Sequence, residues 1–152
     1  VGESIETGNV SGTIVDVGLF ATELRTAEGV YRLAPNSTLW NVPITNYSRL
    51  HTRRHEISVT LSADQSLDEA EAKLKSIAKA ETRVESNPAP TTYLADFDAG
   101  SAKLTLRYWI KSAQWWAVSR DMTKAVKLAF DKVVEEEVPA DAQDDGPASY
   151  TP

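Results

Sequence analysis

The chain has 152 residues, 41% of them apolar and 25% charged, with 16 Lys and Arg against 22 Asp and Glu, two histidines and no cysteine. Such a composition excludes fibrous and wholly disordered classes, and the lack of cysteine excludes disulfide scaffolds and thiolate metal sites. A net charge of -6 argues against nonspecific nucleic-acid binding, which sets several Lys and Arg against phosphates.

The first 54 residues read as short strands and turns. Ser4 to Thr7 precedes a Gly8-Asn9 turn, and Val10 to Phe20 follows as one long extended run. In that run Thr13, Val15, Val17 and Leu19 fall on one side, with Ile14 and Asp16 opposite. Gly12 and Gly18 mark places where a strand bends or another backbone comes close. Thr22 to Thr26 and Val30 to Leu33 flank Ala27-Glu28-Gly29, a hairpin in which Gly29 can supply a positive φ. Pro35-Asn36 stops pairing, Ser37 to Trp40 fits one short turn, and Val42 to Tyr47 is extended again. Several short strands with tight turns predict a small open barrel or sandwich.

From residue 55 the pattern changes. Ile57, Val59 and Leu61 alternate with Ser58 and Thr60 as in a half-buried strand. Ser66-Leu67-Asp68-Glu69 is a capping-box sequence, and Leu67, Ala70, Leu74, Ile77 and Ala78 then recur at helical spacing. After Asn87-Pro88-Ala89-Pro90, a strand is predicted at Thr91 to Phe97, a turn at Asp98 to Ser101, and a strand at Lys103 to Lys111. The last of these should turn Leu104, Leu106, Tyr108 and Ile110 inward, with Lys103, Thr105, Arg107 and Lys111 outward. A long helix from Ser112 to Glu137 carries Val118, Met122, Ala125, Val126, Ala129, Phe130 and Val133 on one stripe. The order β-α-β-β-α is that of a ferredoxin-like unit whose last strand is hard to find, since only Val138 precedes Pro139. The acidic tail 139–152 is expected to be disordered. The organisation expected is thus α+β: a β unit over 1–54, an α/β unit over 55–138, and the tail.

No run approaches the roughly 20 apolar residues of a membrane span; Leu33 to Ser48 is uncharged but broken by two prolines and three asparagines. The chain opens on Val1 without the apolar region of a signal peptide, which reads as a cut inside a longer protein. Catalytic motifs such as G-x-S-x-G, a P-loop, a Gly-rich dinucleotide turn or H-E-x-x-H do not occur, so no enzyme activity, cofactor or metal site is expected. His51 and His55 are expected to be solvated or structural, Asp64, Asp68 and Glu69 to be helix-start acids, and Glu135-Glu136-Glu137 a solvated helix end. Trp109, Trp115 and Trp116 crowd one strand-to-helix junction and are expected in core or subunit packing.

The ordered stretches carry more information than any one of them. Val10-Ser11-Gly12-Thr13-Ile14-Val15 through Leu24-Arg25-Thr26-Ala27-Glu28-Gly29, then Pro35-Asn36, nine residues, Asn46-Tyr47-Ser48-Arg49, then Arg53-Arg54, resembles the small-conductance mechanosensitive channel (MscS) family over residues 2 to about 137. The resemblance implies an Sm-like β-barrel domain followed by a ferredoxin-like α/β domain. It further implies a homo-oligomer of seven subunits around a cytoplasmic vestibule with side portals, passing ions and small solutes to a tension-gated pore used in osmotic adaptation. The pore helices, which would tie the protein to the inner membrane, would lie before Val1, and the family's closing barrel has no match in Ala140 to Pro152.

Gly12, Gly29, Pro35, Asn36, Asn46, Ser48 and Arg49 are the family-motif positions. Pro35 and Asn36 read either as a local stop or as a contact to a subunit or pore helix, and Asn46, Ser48 and Arg49 as a hydrogen-bonding corner. Arg49, Arg53 and Arg54 read either as a portal or domain-junction lining or as a solvated linker face paired with Glu56. The competing function is an Sm-like or ferredoxin-like nucleic-acid-binding module, disfavoured by the acidic balance.

Overall fold

The computed structural model describes residues 1–135, with side chains described through Asp131. The expected helix end at Glu136 and Glu137, the missing strand near Val138 and the tail 139–152 lie outside the described residues, as does the side chain of Val133. The architecture is mixed α+β with two antiparallel sheets.

The first sheet holds β1 (Ser4–Thr7), β2 (Val10–Val17), β3 (Ala21–Arg25), β4 (Tyr31–Pro35) and β5 (Thr45–Asn46), in the order β4-β3-β2-β1-β5. A five-residue helix, α1 (Asn36–Trp40), leads out of β4. The core of this sheet is small: Ile5, Leu24, Ala34 and Leu39 are buried, with Val10 and Ile14 packed against them.

Two glycines act as the turn chemistry requires. Gly29 has φ +84° in the β3–β4 turn, where a side chain would be strained. At Gly12 an added Cβ would lie 2.7 Å from the Arg25 carbonyl oxygen, so the missing side chain is what lets β3 approach β2. The long run expected to reach Phe20 ends at Val17, because the β2–β3 pairing slips between Ile14 and Asp16 and Gly18 N–H turns back to the Ala21 carbonyl. Val15 is the extra residue of that bulge, and the simple alternation expected across it is lost.

The second sheet holds β6 (Thr52–Ser62), β7 (Thr91–Phe97) and β8 (Ser101–Lys111), in the order β6-β8-β7. β6 starts at Thr52, so Arg53 and Arg54 already belong to it. α2 (Leu67–Ala80) begins with the Ser66 hydroxyl accepting from the Glu69 N–H. The expected long helix opens as a 3-10 turn at Ser112–Gln114 and continues as α3 (Trp115–Glu135). Leu74 and Ala78 of α2 and Val118, Met122 and Val126 of α3 pack against Ile57, Leu61, Leu104, Leu106, Tyr108 and Ile110 in a core of twelve buried residues.

The opposite face of that sheet is polar. Glu56 accepts from the Arg107 Nε at 2.7 Å and from the Tyr93 hydroxyl, with Arg54 3.4 Å away. Thr105 points to this face, as expected from alternation, and is buried there, because β8 is the central strand and the Ser58 hydroxyl pairs with it at 2.8 Å. Among the described residues, no helix is long and apolar enough to cross a membrane.

Candidate functional site

The chain passes from β5 to β6 through Tyr47 to His51, and each motif residue there is fixed by a separate bond. The Asn46 side-chain oxygen accepts from Ser48 N–H at 3.1 Å and Arg49 N–H at 2.9 Å, closing a tight Asx turn. Its amide nitrogen donates to Glu3 Oε2 at 2.9 Å. The Ser48 hydroxyl accepts from Ser4 N–H at 2.8 Å, and Arg49 places two nitrogens on the two Glu3 oxygens, each at 2.9 Å. The Arg49 guanidinium holds the Glu3 carboxyl below its ordinary range. The corner therefore clamps the strand entry, Glu3 and Ser4, to the chain that leaves for the second sheet.

Asn36 does a comparable task elsewhere. Its side chain donates to the Gly18 and Leu19 carbonyls at 2.9 and 3.1 Å and accepts from the Thr22 hydroxyl at 2.8 Å. It thereby pins the β2–β3 loop, which presents Leu19 and Phe20 to solvent at 84% and 83% exposure. Pro35 precedes it as the last residue of β4, and its carbonyl accepts from the Thr38 hydroxyl.

The three arginines named together from the sequence go to three places. Arg49 is on Glu3, and Arg54 is on the open face beside Glu56. Arg53 turns the other way and lies between two rings, 4.6 Å from the Tyr47 centroid and 4.1 Å from that of Trp115. Trp115 stands edge-on to Trp116 and to His55, and His55 Nδ1 lies 2.9 Å from the Tyr108 hydroxyl. Burial, helped by the Arg53 charge, pushes the His55 pKa down, and burial pushes the Tyr108 hydroxyl up. Trp109 does not join this cluster: it alternates with Tyr108 and Ile110 along β8 and points to the opposite face.

Sequence reading missed Glu3, Glu6, whose carboxylate accepts from the Tyr47 phenol, and the stacking of Arg53. Glu3 and Arg49 are 46 residues apart, and no periodicity links them. No group of three or more acidic or histidine side chains that could hold a metal ion occurs among the described residues.

Residues 1–49 match the family described as mechanosensitive ion channel, beta-domain, and residues 54–134 match the family described as mechanosensitive ion channel MscS, C-terminal. A small-conductance mechanosensitive channel of Edwardsiella ictaluri is 32% identical over 130 residues, covering 86% of this chain and 46% of the relative. An uncharacterized MscS family protein of Archaeoglobus fulgidus is 26% identical over 132 residues, covering 87% and 47%. Among solved structures, Helicobacter pylori MscS in a closed state superposes with a TM-score of 0.76 at 22% identity, over 98% of this chain and 59% of that one. Arabidopsis thaliana MSL1 gives 0.70 at 24% identity, over 88% and 50%. The chain spans about half the length of the curated relatives it matches.

Proposed function

The chain belongs to the MscS family of mechanosensitive ion channels, and we propose that its described residues form one subunit's share of a cytoplasmic vestibule beneath a tension-gated membrane pore. In this reading the first sheet is an Sm-like β domain over residues 1–54, the second sheet with α2 and α3 is a ferredoxin-like domain over 55–138, and seven copies close the wall.

The observation that carries the reading is the apolar surface of the first sheet. Val15, Val17, Leu19, Phe20, Tyr31 and Leu33 are all exposed, on strands β2 and β4 and the loop after β2, over a core of only four buried residues. By the strand register Val17 lies on the face of Thr22 and Ala34 while Tyr31 and Leu33 lie on the opposite face beside Glu23, so apolar side chains stand exposed on both faces of this small sheet, and β4 is in addition an edge strand with open backbone groups. Packing against neighbouring copies would cover both. The open face of the second sheet, with Arg54, Glu56, Arg107 and Tyr93, has the wettable character of a wall facing permeating ions. The acidic charge and the channel relatives leave the nucleic-acid alternative without support.

Light scattering on this chain tests the assembly, and recording under suction from membranes expressing the full-length parent protein tests the channel. A single-chain mass at every concentration, or normal membrane expression without stretch-activated current, overturns the corresponding half of the proposal.

A further inference from the structure

Beyond the channel reading, and independently of it, we propose that the groove between the first sheet and the start of α3 binds a small organic anion: a planar apolar body bearing a carboxylate. The groove encloses about 470 Å³, inside the range of about 300 to 1,000 Å³ typical of ligand clefts. Its walls bring together Arg25 at the end of β3, Arg53 from β6, Tyr47, and Trp115 and Trp116 from the first turn of α3, with Glu6 as the one acid in the lining.

The two guanidinium groups set the charge of the ligand. Arg49, Arg54, Arg83 and Arg107 each pair with a carboxylate, whereas Arg25 and Arg53 have no Asp or Glu oxygen within 4.0 Å among the described residues. Arg53 is half-buried, and the rings of Tyr47 and Trp115 hold it, so its edge N–H groups form a fixed fork with no anion to meet. A planar fork of this kind matches a carboxylate in two parallel hydrogen bonds. Glu6 offsets only one of the two positive charges, and its carboxylate already accepts from Tyr47. The first turn of α3 has no acidic residue, so the positive end of that helix adds to the field at Trp115 and Trp116.

The rings set the rest of the ligand. Trp116 is 66% exposed and stands edge-on to Trp115 with centroids 4.9 Å apart, which gives a flat molecule an indole face to stack on. A bare inorganic anion would leave that surface wet, and a neutral hydrocarbon would leave the arginine fork unmatched.

Titration of the 152-residue chain with indole-3-acetate, read from its tryptophan indole N–H resonances, tests the site. Saturable shifts are expected at Trp115 and Trp116, with the Trp40 signal from α1 as the unmoved control. Acetate, lacking the ring, and tryptamine, carrying the ring on a cation, should each bind at least about tenfold more weakly. Arg53→Gln should weaken indole-3-acetate by roughly tenfold or more, as expected for loss of a charge-assisted pair. Arg25→Gln changes a solvent-exposed residue and should weaken it by several-fold while leaving the fold intact. No saturable shift up to about 10 mM overturns the proposal. Equal binding of acetate or tryptamine, or unchanged affinity in both arginine variants, overturns it as well.

Discussion

Asn46 shows how one side chain can hold a junction. It closes the turn that starts the linker and reaches the Glu3 carboxylate, which Arg49 grips with two nitrogens. Asn46→Ala removes the turn and leaves the Ser48 and Arg49 amides to water, so it should lower stability by about 1–3 kcal/mol in chemical denaturation. Asn46→Asp keeps the acceptor but faces Glu3 with a second negative charge, and should not rescue the loss. A second carboxylate gives a pH prediction. Arg83 holds Glu81 down to about 2 with two hydrogen bonds, and Asp121 adds a second anchor for the guanidinium. A carboxyl depressed in the folded state stabilises the protein above its ordinary value of 4.5, and that contribution is lost as pH falls from there through about 2. Arg83→Gln should return the Glu81 titration, followed by NMR, toward the usual carboxylate range. It should also remove about 1–2 kcal/mol of acid-dependent stability, after discounting for solvent screening.

At the scale of elements, the helices and strands buried on one face were readable from periodicity alone. Leu74 and Ala78 of α2, Val118, Met122 and Val126 of α3, and Leu104 to Ile110 of β8 sit where spacing puts them, because a single core decides their orientation. The bulge at Val15 was not readable, since a slip of one residue depends on the partner strand and leaves no mark in the strand's own alternation. Thr105 lies on the face that alternation gives it, but its burial there was not readable, because burial on that face comes from the neighbours β6 and β7. The Asn46 to Arg49 corner was legible as a polar knot but not its anchor Glu3. Gly12 offers an element-level test. Gly12→Ala puts a methyl group 2.7 Å from the Arg25 carbonyl and must push β3 from β2, which should destabilise the chain by about 1–3 kcal/mol. Gly29→Ala meets no neighbour and should lose only about 1 kcal/mol from its positive φ.

At the scale of the whole molecule, the two sheets are unequally equipped to stand alone. One core has twelve buried residues and the other four, and a small core leaves little surplus over conformational entropy. The first sheet compensates in a way that suits association with copies of itself. Residues 1–55 balance five acids against five bases, so like surfaces can meet without net repulsion, while the rest of the chain carries the -6. Its exposed residues Leu33, Val17 and Phe20 are held on strands or by the Asn36 bonds, so little order remains to be gained on packing. Stability of the first sheet should therefore depend on concentration, and that of the second much less. Hydrogen exchange at high and low concentration should show β1 to β4 losing protection on dilution before β6 and β8 do. Leu33→Lys places a charge on the open edge strand β4, where charge blocks strand-to-strand association. It should reduce the mass seen by light scattering to that of one chain, leave β6 and β8 protected, and make exchange in β1 to β4 fast at every concentration. Equal protection of both sheets in a chain that stays single throughout would mean that the first sheet is stable unaided, and its apolar surface would then need another explanation.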